Sequence, residues 1–138
     1  MKAFFDSSAF AKRYIAENRS EEVLDLCSKA DQLAVSVICL PEIISTLSRL
    51  TREGRLTKSQ YGKLKVDVVT DLGDADICEI TADVLNRVVQ LLERHPLRAM
   101  DAIHLACAAI YQADVFVSAD HRQLTAARKS GLKVVDVS

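Results

Sequence analysis

Four carboxylates stand at helix starts that follow or face the ends of short apolar strands, and that placement could do chemistry. Asp6 follows the apolar run Lys2 to Phe5 and is followed at once by two small hydroxyls, Ser7 and Ser8. The arrangement returns near the other end, where the strand-like segment Asp114 to Val117 runs into Ser118, Ala119 and Asp120. Glu42 lies in the first turn of a helical pattern, beside its apolar stripe and not on the far face. Asp101 occupies the first turn of an Ala-rich helix, in the run LRAMDAIHLA. Taken singly, each acid reads as a helix cap or a solvated charge. Taken together, they belong to one end of a parallel sheet, the end where ligands bind in open α/β folds. Carboxylates gathered in one crevice repel one another unless a cation lies between them, so the pattern points to a hard divalent metal.

The elements that must position these acids alternate between strand and helix, without repeats or low-complexity segments. After a first strand, helices are expected over residues 7–17 and from Ser20, which would cap a helix carrying Glu21 and Glu22 in its first turn. A strand over residues 32–37 leads into a helix with Pro41 in its first turn and Gly54 as its stop. Leu40, Ile43, Ile44, Leu47 and Leu50 form the buried stripe of that helix. Thr57-Lys58-Ser59-Gln60 is a capping box opening the next one, which ends near Gly73. A strand over residues 76–80 precedes Thr81, the cap of a helix with Val84, Leu85, Val88, Val89 and Leu92 on its inner face. An Ala-rich helix over 98–112, a strand over 114–117, a helix to Lys129, the Gly131 stop and a strand over 133–137 follow. The strands are short, apolar and β-branched, as buried parallel strands are. The fold class is α/β, a three-layer α/β/α sandwich around a short, mostly parallel central sheet.

Composition bounds the function. The 138 residues and 15.2 kDa suit one domain, residues 1–138, with a core of useful size. The net charge of -1 excludes a global positive field, so any nucleic-acid footprint must be local. No apolar run approaches membrane-spanning length and the start MKAFFD lacks a signal pattern, so a soluble, cytoplasmic chain is expected. Cys27, Cys39, Cys78 and Cys107, spaced by 12, 39 and 29 positions, offer no CxxC and read as small buried hydrophobes. Hydrophobic residues make up 49% of the chain, which leaves apolar surface on the helices Leu40 to Gly54 and Tyr61 to Gly73 for self-association.

FFDSSAFAKRY at the start, PEI at Glu42, LRAMDAIHLACA around Asp101 and FVSADHRQLTAARKSGLKVV near the end resemble, in order and spacing, a PIN-domain nuclease. The resemblance is to the VapC-type toxin ribonucleases of toxin–antitoxin pairs and spans nearly the whole chain. It implies a metal-dependent endoribonuclease using Mg2+ or Mn2+, a small antitoxin protein as partner and a homodimer. It carries the family's acids onto Asp6, Glu42, Asp101 and Asp120, with no departure at any of the four. Asp6 and Asp101 are then the main metal ligands, Glu42 completes the shell or holds the attacking water, and Asp120 supports a second ion or a metal-bound water. Ser8 and Ser118 orient carboxylates from behind.

Neighbouring residues divide. His104, one helical turn from Asp101, reads as packed and hydrogen-bonded, and His121 as exposed. Lys12, Arg13, Arg98 and Arg122 are close to acids in sequence and could grip phosphates, and Tyr14 could stack on a base or pack in the core. The alternative function is a housekeeping RNA-processing nuclease or a non-catalytic RNA-binding PIN module. A phosphoaspartyl enzyme of the haloacid-dehalogenase type is disfavoured, because Ser8 stands where a second aspartate is needed.

Overall fold

The computed structural model describes all 138 residues. Its elements run β1 (Lys2–Phe5), α1 (Ser7–Phe10), α2 (Ser20–Lys29), β2 (Gln32–Ser36), α3 (Cys39–Arg52), α4 (Lys58–Gly73), β3 (Asp76–Cys78), α5 (Ala82–Arg94), α6 (Ala99–Tyr111), β4 (Val115–Ser118), α7 (His121–Lys129) and β5 (Val134–Asp136). The five strands form one sheet in the order β3-β2-β1-β4-β5, and every pairing is parallel. The first half of the chain builds outward from β1 in one direction and the second half in the other. The strand order therefore reverses between β1 and β4, and a crevice opens at the carboxyl ends there.

Side chains alternate across the sheet and divide the core in two. Ala3, Phe5, Val35 and Val117 face a cluster of 13 buried residues with the helices α1 to α4. Phe4, Ala34 and Phe116 face a second cluster of 13 with α5 to α7. That is the three-layer α/β/α sandwich the alternation implied. Thr57 and Gln60 form the expected reciprocal capping box at α4, and the Thr81 hydroxyl caps α5 by accepting from Val84 N. Gly54 (φ 75°) and Gly131 (φ 87°) take left-handed backbone beyond α3 and α7, which glycine adopts without a Cβ penalty.

Four local expectations fail for physical reasons. The helix expected over 7–17 stops early, as α1 and a 3-10 turn over Ala11–Arg13. Lys12 is buried and donates to the Asn18 carbonyl at 2.7 Å, which holds the chain in a loop. Ser20 does not cap α2, since its hydroxyl accepts from Glu17 N and donates to the Ile15 carbonyl, closing that loop. In α3 the inward row is Cys39, Ile43, Leu47 and Leu50, so Leu40 is exposed and Ile44 half-buried. In α5 the inward row is Val84, Val88 and Leu91, which leaves Leu85, Val89 and Leu92 exposed. Two apolar rows one residue apart fit the same periodicity, and only tertiary packing selects between them.

Candidate active site

The carboxyl ends of β1 and β4 set the floor of the site. Parallel pairing places Phe5 beside Val117, which brings Asp6 next to Ser118 across the strand ends. The Asp6 carboxylate caps α1 by accepting from Ala9 N at 2.9 Å. It also accepts from the Ser118 hydroxyl at 2.7 Å and from the Ser8 hydroxyl at 2.8 and 2.9 Å. Ser8 in turn accepts from Ala119 N, and Ser118 accepts from Asp120 N at 2.9 Å. Both serines thus tie the loop after β4 to the carboxylate at the end of β1. Asp6 is fully buried, and that burial raises its pKa although the surrounding donors pull the other way. A buried carboxylate in this condition has an energetic use for a cation.

Glu42 enters from the first turn of α3. Its Oε1 accepts from the Ser7 hydroxyl at 2.6 Å and from His104 Nε2 at 2.5 Å. Burial pushes the Glu42 pKa up, but the His104 and Ser7 hydrogen bonds outweigh it and hold the carboxyl below its usual range. His104 is buried, as expected, yet its partner is a site acid, which makes it a wall of the pocket and not only a piece of core.

Asp101 stands on the first turn of α6, where its backbone dipoles favour a negative charge. Its two oxygens have separate partners, Gln123 Nε2 at 3.1 Å and Arg98 Nε at 3.2 Å. Asp120 caps α7 by accepting from Gln123 N at 3.0 Å. One pocket of about 360 Å³ is lined by Asp6, Glu42, Asp101 and Asp120 together, with Ser7, Ser8, Arg98, His104 and Gln123 on its walls. Ser118 lies beneath it, with its only role at the site through Asp6 and Asp120.

Three residues of this pocket are absent from the sequence expectation. Gln123 is buried, grips Asp101, and leaves its Oε1 without a partner, which no local pattern signals. Ser7, flagged only as a small hydroxyl, supports Glu42. Glu17 adds a fifth acid, 3.6 Å from the buried Lys12 ammonium. Among the suggested phosphate-gripping residues, Arg98 and Lys12 line the pocket. Arg13 does not, since it pairs with Asp71 at 3.3 Å and lies over the Phe10 ring. Tyr14 packs edge-on against Phe10 and donates to Asp71, so packing describes it better than base stacking. The cysteines are all free, and burial raises the thiol pKa of Cys39 to about 12 and of Cys78 to about 11.

The donor set suits a hard cation. All the acids offer oxygen, and no three of the chain's His, Cys, Asp and Glu side chains converge as a ready-made cage. Magnesium fits such a site, because it is held through one or two carboxylates and keeps several waters.

The chain is similar to known proteins over nearly its whole length. The PIN domain family matches residues 3–129. Ribonuclease VapC45 from Mycobacterium tuberculosis (strain CDC 1551 / Oshkosh) is 31% identical over 133 residues, covering 95% of this chain and 92% of its own length. Among solved structures, a toxin–antitoxin complex from Klebsiella pneumoniae superposes with a TM-score of 0.73 at 18% identity, covering 99% of this chain and 98% of its own. The Mycobacterium tuberculosis VapC20 toxin, described as cleaving the sarcin-ricin loop, gives 0.67 at 20% identity, covering 90% and 94%. The chain belongs to the PIN-domain family, among the VapC-type ribonucleases.

Proposed function

We propose that this protein is a divalent-metal-dependent endoribonuclease, the toxin of a type II toxin–antitoxin pair acting in the cytoplasm. The observation behind this reading is that Asp6, Glu42, Asp101 and Asp120 all line one pocket at the switch point of the sheet. Family membership alongside named ribonucleases supports the substrate class.

Asp6 and Asp101 would hold Mg2+ or Mn2+, with Asp120 supporting a second ion or an ordered water. When bound, such an ion neutralises charge building on the phosphate, lowers the pKa of water and stabilises the departing oxygen. The chain's own residues prepare that chemistry. Ser8 and Ser118 fix Asp6 so that its oxygens keep one orientation. Glu42, whose carboxylate is favoured by the Ser7 and His104 hydrogen bonds, would accept a proton from an attacking water. Gln123, on α7, holds one Asp101 oxygen towards that helix, and Arg98 on the rim is free to swing from Asp101 to a phosphate. A shallow, polar pocket admits a strand interior as well as an end, which suits endonucleolytic cleavage.

A small antitoxin would silence the site by presenting a basic side chain to the same acids, since a guanidinium matches carboxylate geometry. The apolar residues left exposed, Val66 and Val69 on α4 with Leu85, Val89 and Leu92 on α5, support a homodimer. No helix is long and apolar enough to cross a membrane.

The test is cleavage of cellular RNA by purified protein with Mg2+ or Mn2+, with EDTA and an Asp101→Asn control. Metal-dependent fragments lost in both controls are the expected result, and cleavage that survives EDTA would sink the metal role. Expression that leaves growth and RNA untouched would favour a housekeeping nuclease over a toxin.

A further inference from the structure

The RNA reading leaves an electrostatic problem. Asp6, Glu17, Glu42, Asp101 and Asp120 all line the pocket, and the chain has a net charge of -1. A polyanion gains affinity mainly by shedding counterions onto a positive surface, and this pocket provides little. The missing charge lies on the outer side of α5 and α7. Two adjoining hollows, of about 220 and 460 Å³, meet at His95 and Lys129, and neither is lined by any carboxylate. Arg122 lines the smaller hollow, and Arg87 and Arg94 line the larger. Arg87, Arg94, Arg122 and Lys129 are exposed, and none takes part in an ion pair. Eight further cations, among them Arg52, Arg55, Lys63 and Lys65, are also without ion pairs, but none of them lines the acidic pocket or these hollows.

Two short stretches of chain join these hollows to the acidic pocket. One runs from His95, which lines both hollows, to Arg98 on the pocket rim. The other runs from Asp120, in the pocket, to Arg122 two residues on. At both junctions a residue of the acidic pocket and a residue of the hollows are thus no more than three positions apart along the chain. We propose that the joined hollows between α5 and α7 are a docking track for the phosphate backbone of single-stranded RNA, leading it into the acidic pocket. This rests on the ribonuclease reading. Three of the four cations lining the hollows are arginines, whose planar fork matches phosphate oxygens in pairs. An acidic protein segment would meet the same charges, but it has no reason to continue into a pocket lined by carboxylates. A polyanion that the pocket cleaves does.

The experiment measures binding of a fluorescein-labelled single-stranded RNA of about 30 nucleotides to the full chain carrying Asp101→Asn, so that nothing is cleaved. In that background, Arg87→Ala, Arg94→Ala and Lys129→Ala are combined. The expected result is at least about tenfold weaker binding at 0.1 M salt, with a log–log salt slope shallower by about 2, as three lost phosphate contacts give. Arg87→Lys, Arg94→Lys and Lys129→Arg together should restore most of both. Mn2+ affinity of the triple Ala variant with Asp101 intact should match wild type, which separates a lost track from a damaged fold. Unchanged RNA affinity and slope overturn the proposal, even if binding to polyglutamate falls and so marks an acidic-protein surface. Failure of the ribonuclease reading shows elsewhere, as wild-type protein that binds this RNA without ever cutting it.

Discussion

The floor and the rim of the acidic pocket hold their carboxylates in opposite ways. On the floor, Asp6 has no solvent contact and is gripped by two serine hydroxyls and a backbone amide from three positions of the chain. On the rim, Asp101 has one buried partner, Gln123, and one that is 78% exposed, Arg98. Hydrogen bonds on the floor are short and shielded, whereas the rim contact to Arg98 is a surface ion pair of little intrinsic strength. The difference teaches that one acid is fixed before any ligand arrives and the other is kept available. A rigid reference point beside an exchangeable one suits a site that must bind, react and release.

Replacing the acids tests the comparison most severely. Asp6→Asn and Asp101→Asn should each lower RNA cleavage by on the order of 1,000-fold, the loss of several kcal/mol of metal-borne stabilisation. Their stabilities should then differ. The raised pKa of Asp6 means that its ionised form costs stability above that pKa and costs nothing in acid, where it is protonated folded or unfolded. Asp6→Asn should therefore raise Tm by about 3 °C at pH 7, with the gain fading as pH falls. Asp101→Asn should leave Tm nearly unchanged. Equal Tm changes in calorimetry would erase the distinction between floor and rim.

Ser118→Ala is the next largest. It removes a donor to Asp6 and an acceptor for Asp120 N in one change, so both ends of the floor loosen. Metal affinity and cleavage should fall by about 10–100-fold, with about 1–3 kcal/mol of stability lost. Titration with Mn2+ and urea unfolding give both numbers, and near-wild-type metal affinity would show that the floor needs no such support.

Glu42 offers a milder, pH-resolved probe. Its lowered pKa gives a stabilising contribution that is present above the ordinary glutamate range and lost as pH falls through the lowered value. Glu42→Gln should consequently be less stable than wild type at pH 7, and the two Tm curves should meet in acid. The smallest effect belongs to the rim. Arg98→Ala should change stability by less than about 1 kcal/mol and should tighten Mn2+ binding slightly while raising KM for RNA. Weaker metal binding would mean that Arg98 positions Asp101 and does not compete for it.

The parts of this site that were legible in the sequence are the parts governed by neighbours along the chain. Asp6, Asp101 and Asp120 stand at helix starts, where capping and dipole preferences leave a local mark, and the strand alternation assigned the three layers. Ser8 and Ser118 were readable because they adjoin acids in sequence. Gln123 was not, because its meaning lies in a contact to Asp101 on another helix, 22 residues away. The length of α1 escaped for a similar reason, since a buried Lys12 decides it against the helical pattern of residues 7–17. The inner face of α5 was drawn too wide, with Leu85, Val89 and Leu92 beside the buried Val84 and Val88 and without Leu91, because the two apolar rows share one periodicity.

The pairing of β1 with β4 also has a consequence in time. During synthesis β1 cannot complete its hydrogen bonding until Val115 to Val117 have been made, and Asp6 waits for Ser118, 112 residues later. At about 5–20 residues per second, that interval is roughly 6 to 22 s. Throughout it Asp6 has the Ser8 hydroxyl but not that of Ser118, and the sheet lacks β4 and β5. A fragment released within that interval lacks Asp120 and Gln123 from the pocket. The order of synthesis therefore leaves the acidic pocket unfinished until Ser118 and Asp120 have both been made.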